Sequence, residues 1–192
     1  SATFLVPGKP SYVGDWILEQ TNPAIFQDVL LSIQSGQPFS RAVPWHQLAW
    51  LESYDDARIT VSLNLWKAVG VLPEHHSSLQ ILDLACGSSI VSFALARQYS
   101  HIHVTCVDHR EVLQVARDLA ERFKIENQAQ YMAGDLHSLE FEEQIYDIVL
   151  LGNVTNFFTE QQNIALFKKI YRCLKTRGLL VLDVTMKGDS KV

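Results

Sequence analysis

A chain of 192 residues, 47% apolar and 19% charged, has an ordinary globular balance and is long enough to bury a sizeable core. Its net charge of −5, with no offsetting basic stretch, argues against a nucleic-acid backbone as main ligand. No run approaches the ~20 apolar residues of a membrane helix and the opening SATFLVPGKP lacks the charged and apolar regions of a signal peptide, so no membrane attachment is expected; the odd, scattered cysteines make a reducing cytoplasm the default.

Residues 1–10, with two prolines and a glycine, form an irregular entry. Trp16, Ile17, Ile25, Phe26, Val29 and Leu30 suit helices interrupted near Pro23, and 35–44 is a loop by its turn residues. A longer helix is expected over roughly 45–70, with Trp45, Leu48, Ala49, Leu51, Ile59, Leu63 and Trp66 on its apolar side. Residues 1–75 are assigned to a helical cap, lid or dimerisation segment, with the alternative that its aromatic residues are ordinary core. After Pro73 the texture changes. Short apolar strands at 79–86, 102–108, 130–135, 146–154 and 178–186 alternate with helices at 90–99, 110–123 and 160–175, the last closed by Gly178. This alternation predicts an α/β chain in which residues 76–192 form a Rossmann-like, doubly wound parallel sheet of about five strands.

Cys86, Cys106 and Cys173 are scattered and have no CxxC spacing, which disfavours a disulfide framework or a zinc site. Seven histidines include His75-His76 and the strand-spaced His101 and His103, with no carboxylate or thiol at ligand spacing, so no metal site is expected.

The segment LDLACGSS, residues 82–89, joins the first strand to the first helix. In an open α/β sheet, ligands bind beyond the carboxyl ends of the strands where the winding reverses. Small residues there let a ligand approach the backbone, and free N–H groups at a helix start attract an anion. A tight turn that needs small residues only for packing is the bland alternative. Asp108 ends the second strand, where a carboxylate can accept both hydroxyls of a ribose; it can equally serve as an N-cap for the helix that follows. Asp135, in AGDL at the end of the third strand, is placed to meet an exocyclic amine or to be an exposed turn residue. A dinucleotide loop has G-x-G-x-x-G, but Ala85 and Ile90 stand at its first and third glycines, which disfavours a pyrophosphate site and a nicotinamide-dependent dehydrogenase.

ILDLACGSS, CVDHREVLQVAR, AGDLH, YDIVLLGNVTNFF and LFKKIYRCLKTRGLLVLDV together resemble the class I S-adenosylmethionine-dependent methyltransferases, most closely those acting on small-molecule hydroxyls. The resemblance is strong over 79–187 and weaker upstream. It departs at Ala85 and Ser89, where the family usually has glycine. It implies S-adenosyl-L-methionine as cofactor and a small-molecule acceptor, with a homodimer possible. By the resemblance, Asp83, Ala85, Cys86 and Gly87 form the turn under the methionine and ribose. Asp108 holds the ribose hydroxyls, and His109 borders the adenine. Gly134, Asp135 and Leu136 contact adenine, and Gly152 and Asn153 line the methionine end. Tyr54 and Arg58 fit upstream positions over the cofactor, arginine replacing the family's methionine; it would pair with the cofactor carboxylate or face solvent.

No catalytic base is assigned by motif: Asn156 stands where relatives often carry histidine, and His137 is taken as an exposed loop residue. The chain ends directly after the fifth strand, without the two further strands common in the family. Two accounts stay open, a part of a longer enzyme or a minimal, non-catalytic cofactor-binding or assembly domain.

Overall fold

The computed structural model describes residues 30, 33–36, 56–71 and 73–184. Five strands, β1 (Leu79–Leu84), β2 (Ile102–Asp108), β3 (Ala129–Ala133), β4 (Tyr146–Gly152) and β5 (Leu174–Asp183), form one sheet in the order β3-β2-β1-β4-β5, every neighbouring pair parallel. The helices are α1 (Asp56–Ala68), α2 (Ile90–Ala96), α3 (Arg110–Phe123) and α4 (Glu160–Cys173). This is the Rossmann-like sheet expected from the alternation of strands and helices.

Period-two alternation in the central strands decides which layer each side chain joins. Ile81 of β1, Val104 and Cys106 of β2 and Ile148 and Leu150 of β4 pack with Trp66, Phe93, Leu113 and Leu119, under α1, α2 and α3. Leu82, Leu84, Val107, Val149 and Leu151 face the other way and pack with Leu166, Ile170 and Cys173 of α4. Burial on both faces explains why these strands are almost continuously apolar. In α3 the buried positions Val112, Leu113, Val115, Ala116, Leu119 and Ala120 make one stripe of a strongly amphipathic helix. Helix α4 opens on a capping box: Thr159 Oγ1 accepts from the Gln162 N–H (3.3 Å) and Gln162 Oε1 from the Thr159 N–H (2.9 Å).

Several boundaries differ from expectation, each for a local reason. The first strand ends at Leu84 rather than 86, and the fourth at Gly152 rather than 154, because Ala85 (φ 52°) and Asn153 (φ 54°) leave the extended region at once. The third ends at Ala133, so Asp135 lies past the strand in a turn. Helix α2 ends at Ala96 rather than 99 and α4 at Cys173 rather than 175. The fifth strand begins at Leu174, pairs with Tyr146 across a register shift and ends at Asp183. Gly178 therefore does not close the helix. It sits inside the strand, where an added β-carbon would meet Leu174 Cδ2 and the Lys175 carbonyl at 2.9 Å. The helix expected over roughly 45–70 is seen as α1; its earlier part and Tyr54 lie outside the described residues.

Candidate functional site

The chain moves outward from β1 through β2 to β3, then returns to place β4 on the opposite side of β1. Beyond the carboxyl ends of β1 and β4 this reversal opens a crevice. The β1–α2 turn floors it. Ala85, Gly87 and Ser89 have φ of 52°, 55° and 57°, three alternate residues in the left-handed region. These are the positions where the resembling family carries glycine, and the backbone gives the reason: a left-handed residue with a β-carbon costs roughly 1–2 kcal/mol. Ala85 and Ser89 hold the conformation nonetheless.

Ser89 occupies the N-cap of α2 but makes no side-chain cap. Its Oγ donates instead to Asp83 Oδ2 at 2.6 Å, beneath the turn, and accepts a long 3.5 Å contact from the Cys106 thiol. Burial pushes the Asp83 carboxyl up to about 7, tempered by the Ser89 hydroxyl and by Ser92, whose hydroxyl lies nearby without meeting hydrogen-bond geometry. Burial likewise raises the Cys86 thiol well above its ordinary value.

Asp108 closes β2 against the same turn. Its Oδ2 accepts from the Gly87 N–H at 2.9 Å and its Oδ1 from the His109 N–H at 2.7 Å. The helix N-cap is His109, not Asp108, and the Gly87 N–H donates to this carboxylate. Burial raises Asp108, and the two amide donors pull it back. A carboxylate has about four lone-pair sites, so each oxygen keeps room for one further donor.

Past β3, Asp135 Oδ2 accepts from the His137 N–H (3.2 Å), the Ser138 N–H (3.0 Å) and the Ser138 hydroxyl (2.9 Å). The Ser138 hydroxyl leads in holding this exposed carboxyl below the usual range. Beyond β4, the Asn153 N–H donates to the Asp183 carbonyl at 2.6 Å, joining the ends of β4 and β5. A β-carbon added to Gly152 would meet nothing within 4 Å. It would stand in open crevice.

These groups surround a cavity of about 730 Å³, within the range of small-molecule sites. The methyltransferase-domain family matches residues 81–178, which supply all of the cavity lining but Arg58 and Asp183. The chain belongs to that family. Among similar proteins, the cypemycin N-terminal methyltransferase of a Streptomyces species is 33% identical over 107 residues, 55% of this chain and 41% of that protein. The demethylmenaquinone methyltransferase of Leptospira interrogans is 31% identical over 113 residues, 55% of this chain and 43% of that one. The chain thus aligns with less than half the length of either relative. An O-methyltransferase family protein from Burkholderia thailandensis shares the fold at TM-score 0.72 and 14% identity, over 99% of this chain and 59% of that one. An O-methyltransferase family 2 protein from Planctomyces limnophilus, in complex with apigenin, does so at 0.59 and 24%, over 97% and 56%.

The fold brings twelve of the thirteen residues singled out in the sequence to one cavity wall: Arg58, Asp83, Ala85, Cys86, Gly87, Asp108, His109, Gly134, Asp135, Leu136, Gly152 and Asn153. The thirteenth, Tyr54, lies outside the described residues. Sequence reasoning missed Phe157, Phe158 and Asp183, which also line the cavity. The signal for the phenylalanines was their position five and six residues past the end of β4; Asp183 is identified only by β5 ending beside β4. Asn156 is exposed and not part of the wall. His137 corrects its expectation: its ring packs edge-on against Phe158 (4.5 Å between centroids), and its Nε2 is buried.

Proposed function

We propose that this chain binds S-adenosylmethionine in the crevice above the β1–α2 turn and serves a methyltransferase whose acceptor is a small-molecule hydroxyl. One observation carries the cofactor assignment. A carboxylate at the end of β2, fixed by the Gly87 and His109 amides, faces a cavity floored by three left-handed residues. The residues present fit that ligand. Asp108 has lone pairs left for a ribose diol, Asp135 offers an acceptor to an exocyclic amine, and side-chain-free Gly152 leaves space for the amino-acid end. Arg58 supplies a cation toward a carboxylate. When bound, S-adenosylmethionine supplies an electrophilic methyl on a sulfonium. The protein's part is to hold acceptor and methyl in line, which is where positioning lowers the barrier.

The hydroxyl acceptor is supported by the sequence resemblance. The relatives' printed names include an N-terminal methyltransferase, so the family does not by itself choose the acceptor atom. Phe157 and Phe158 at the β4 edge favour an apolar or aromatic acceptor.

Titration calorimetry tests the cofactor reading. The 192-residue chain is expected to bind S-adenosylhomocysteine, and Asp108→Asn to weaken binding roughly 10- to 100-fold, the range for hydrogen bonds to a charged group. Absence of binding by the unaltered chain would overturn the reading. Labelled-methyl transfer to phenols, catechols or acids then separates an enzyme from a non-catalytic domain of the same fold, which would bind and transfer nothing.

A further inference from the structure

We propose that Lys169 is a positioning residue that presets the loop after β3 to recognise an amino-bearing purine, and so gives the site its preference for adenine over a deaminated base. The inference rests on the cofactor reading above. Lys169 lies on α4, across the chain from the loop it serves. Its Nζ donates to three successive-turn carbonyls, those of Leu136 (3.4 Å), His137 (2.5 Å) and Leu139 (2.6 Å). An ammonium has three protons and no acceptor, so this one spends its full donor capacity on a single loop. Its side chain is 19% exposed, while Glu140, 3.9 Å away, is 87% exposed and makes a weak surface pair. The neighbouring Lys168 points to solvent.

The loop held this way carries Asp135 and Leu136, both on the cavity wall. At one end the Gly134 N–H donates to the Asp108 carbonyl at 3.0 Å, tying the loop to the strand end that bears the other carboxylate. In the middle, His137 is wedged against Phe158, also on the wall. Within the loop every hydrogen bond that Asp135 accepts at its side chain falls on Oδ2, from His137 and Ser138. Oδ1 accepts none of these bonds, and Asp135 lines the cavity. The donors to Oδ2 come from the residues whose carbonyls Lys169 clamps or adjoins, so removing the ammonium frees the carboxylate's own supports. A base with an exocyclic amine donates to Oδ1; a base with a carbonyl there sets oxygen against oxygen.

The experiment compares S-adenosylhomocysteine with S-inosylhomocysteine, its deaminated analogue, by calorimetry on the 192-residue chain, with thermal unfolding recorded alongside. The unaltered chain is expected to favour the adenosyl ligand by about 10-fold or more. Lys169→Met should bring the ratio within about threefold, through loss on the adenosyl side alone. Lys169→Arg should restore part of it, and Lys168→Met should leave it unchanged. An unaltered ratio in Lys169→Met overturns the proposal, even if both ligands bind more weakly or the melting temperature drops, because that is what a merely structural lysine would do. Should Lys169→Met fail to fold, Ser138→Ala, which removes one donor from Asp135, must lower the ratio in the same direction; an unchanged ratio overturns the proposal. Equal binding of the two ligands by the unaltered chain overturns it while leaving the cofactor reading intact. Binding of neither overturns both.

Discussion

Ala85 and Ser89 show how one backbone requirement is met by three different residues. All of positions 85, 87 and 89 are left-handed, yet only 87 is glycine. Ser89 uses its side chain to hold Asp83, so replacing it with glycine exchanges strain relief for a lost buried hydrogen bond. Ala85 holds no partner by a hydrogen bond, and its half-buried methyl group packs only at the margin of the Leu82 and Leu84 cluster. Ala85→Gly is therefore expected to stabilise the chain by up to about 1 kcal/mol, read as a higher urea midpoint with an unchanged slope. Asp83 makes a second prediction, on pH. Its carboxyl is pushed to about 7 from the 3.8 of an unperturbed group, so between those values the folded chain keeps a proton that the unfolded chain has released. The stability this contributes is complete below about pH 4 and is lost as pH rises through 7, since stability falls wherever the folded state binds more protons. Asp83→Asn retains an acceptor for the Ser89 hydroxyl and cannot titrate. Urea midpoints measured from pH 5 to 8 should fall less steeply in this variant than in the unaltered chain; equal slopes would show that another group carries the dependence.

The elements owe their places to contacts that join distant parts of the chain. Helix α1 is docked by Trp66, which is 1% exposed and donates its Nε1–H to the Val91 carbonyl in α2 at 2.8 Å. Trp66→Phe keeps much of the apolar burial and removes the donor, leaving a part-buried carbonyl without it. A loss of about 1 kcal/mol is expected, together with faster amide exchange in α1 than in α3. Gln128 plays a similar part elsewhere. Its buried side-chain amide donates to the carbonyls of Ala96, Tyr99 and Ile102 at 2.9–3.0 Å, stitching the end of α2 to the start of β2. Neither residue stands out in the sequence for these bonds: Trp66 is placed only on the apolar side of a helix, and Gln128 is not singled out. Hydrogen bonds across 25 to 32 residues have no local signature.

At the scale of the molecule, the reversal of winding between β1 and β4 creates the crevice, and strand ends from both sides of the sheet line it. Gly152 tests that geometry, because a side chain there enters open space rather than a packed wall. Gly152→Val adds a residue suited to a strand, so its unfolding free energy should stay within about 0.5 kcal/mol of the unaltered chain. Its affinity for S-adenosylhomocysteine should fall at least about 10-fold by calorimetry, as steric exclusion from a largely preformed pocket requires. A fall in stability with retained binding would place the ligand elsewhere.

The local chemistry of the chain was enough to determine the alternation of strands and helices and the parallel sheet, while the family resemblance pointed to twelve residues that line the crevice and left out Phe157, Phe158 and Asp183. Apolar periodicity and turn residues act over a few positions, and the topology rules that convert them into a sheet leave few choices. Tertiary structure alone decided that Asp108 supports Gly87 instead of capping a helix, that Ser89 turns from its cap to Asp83, that β5 takes over where a glycine-closed helix end was expected, and that Lys169 crosses to the loop after β3. Each is a choice among partners for a polar group, and such a choice depends on which distant atoms the fold brings within 3 Å or so, a distance that sequence spacing does not encode.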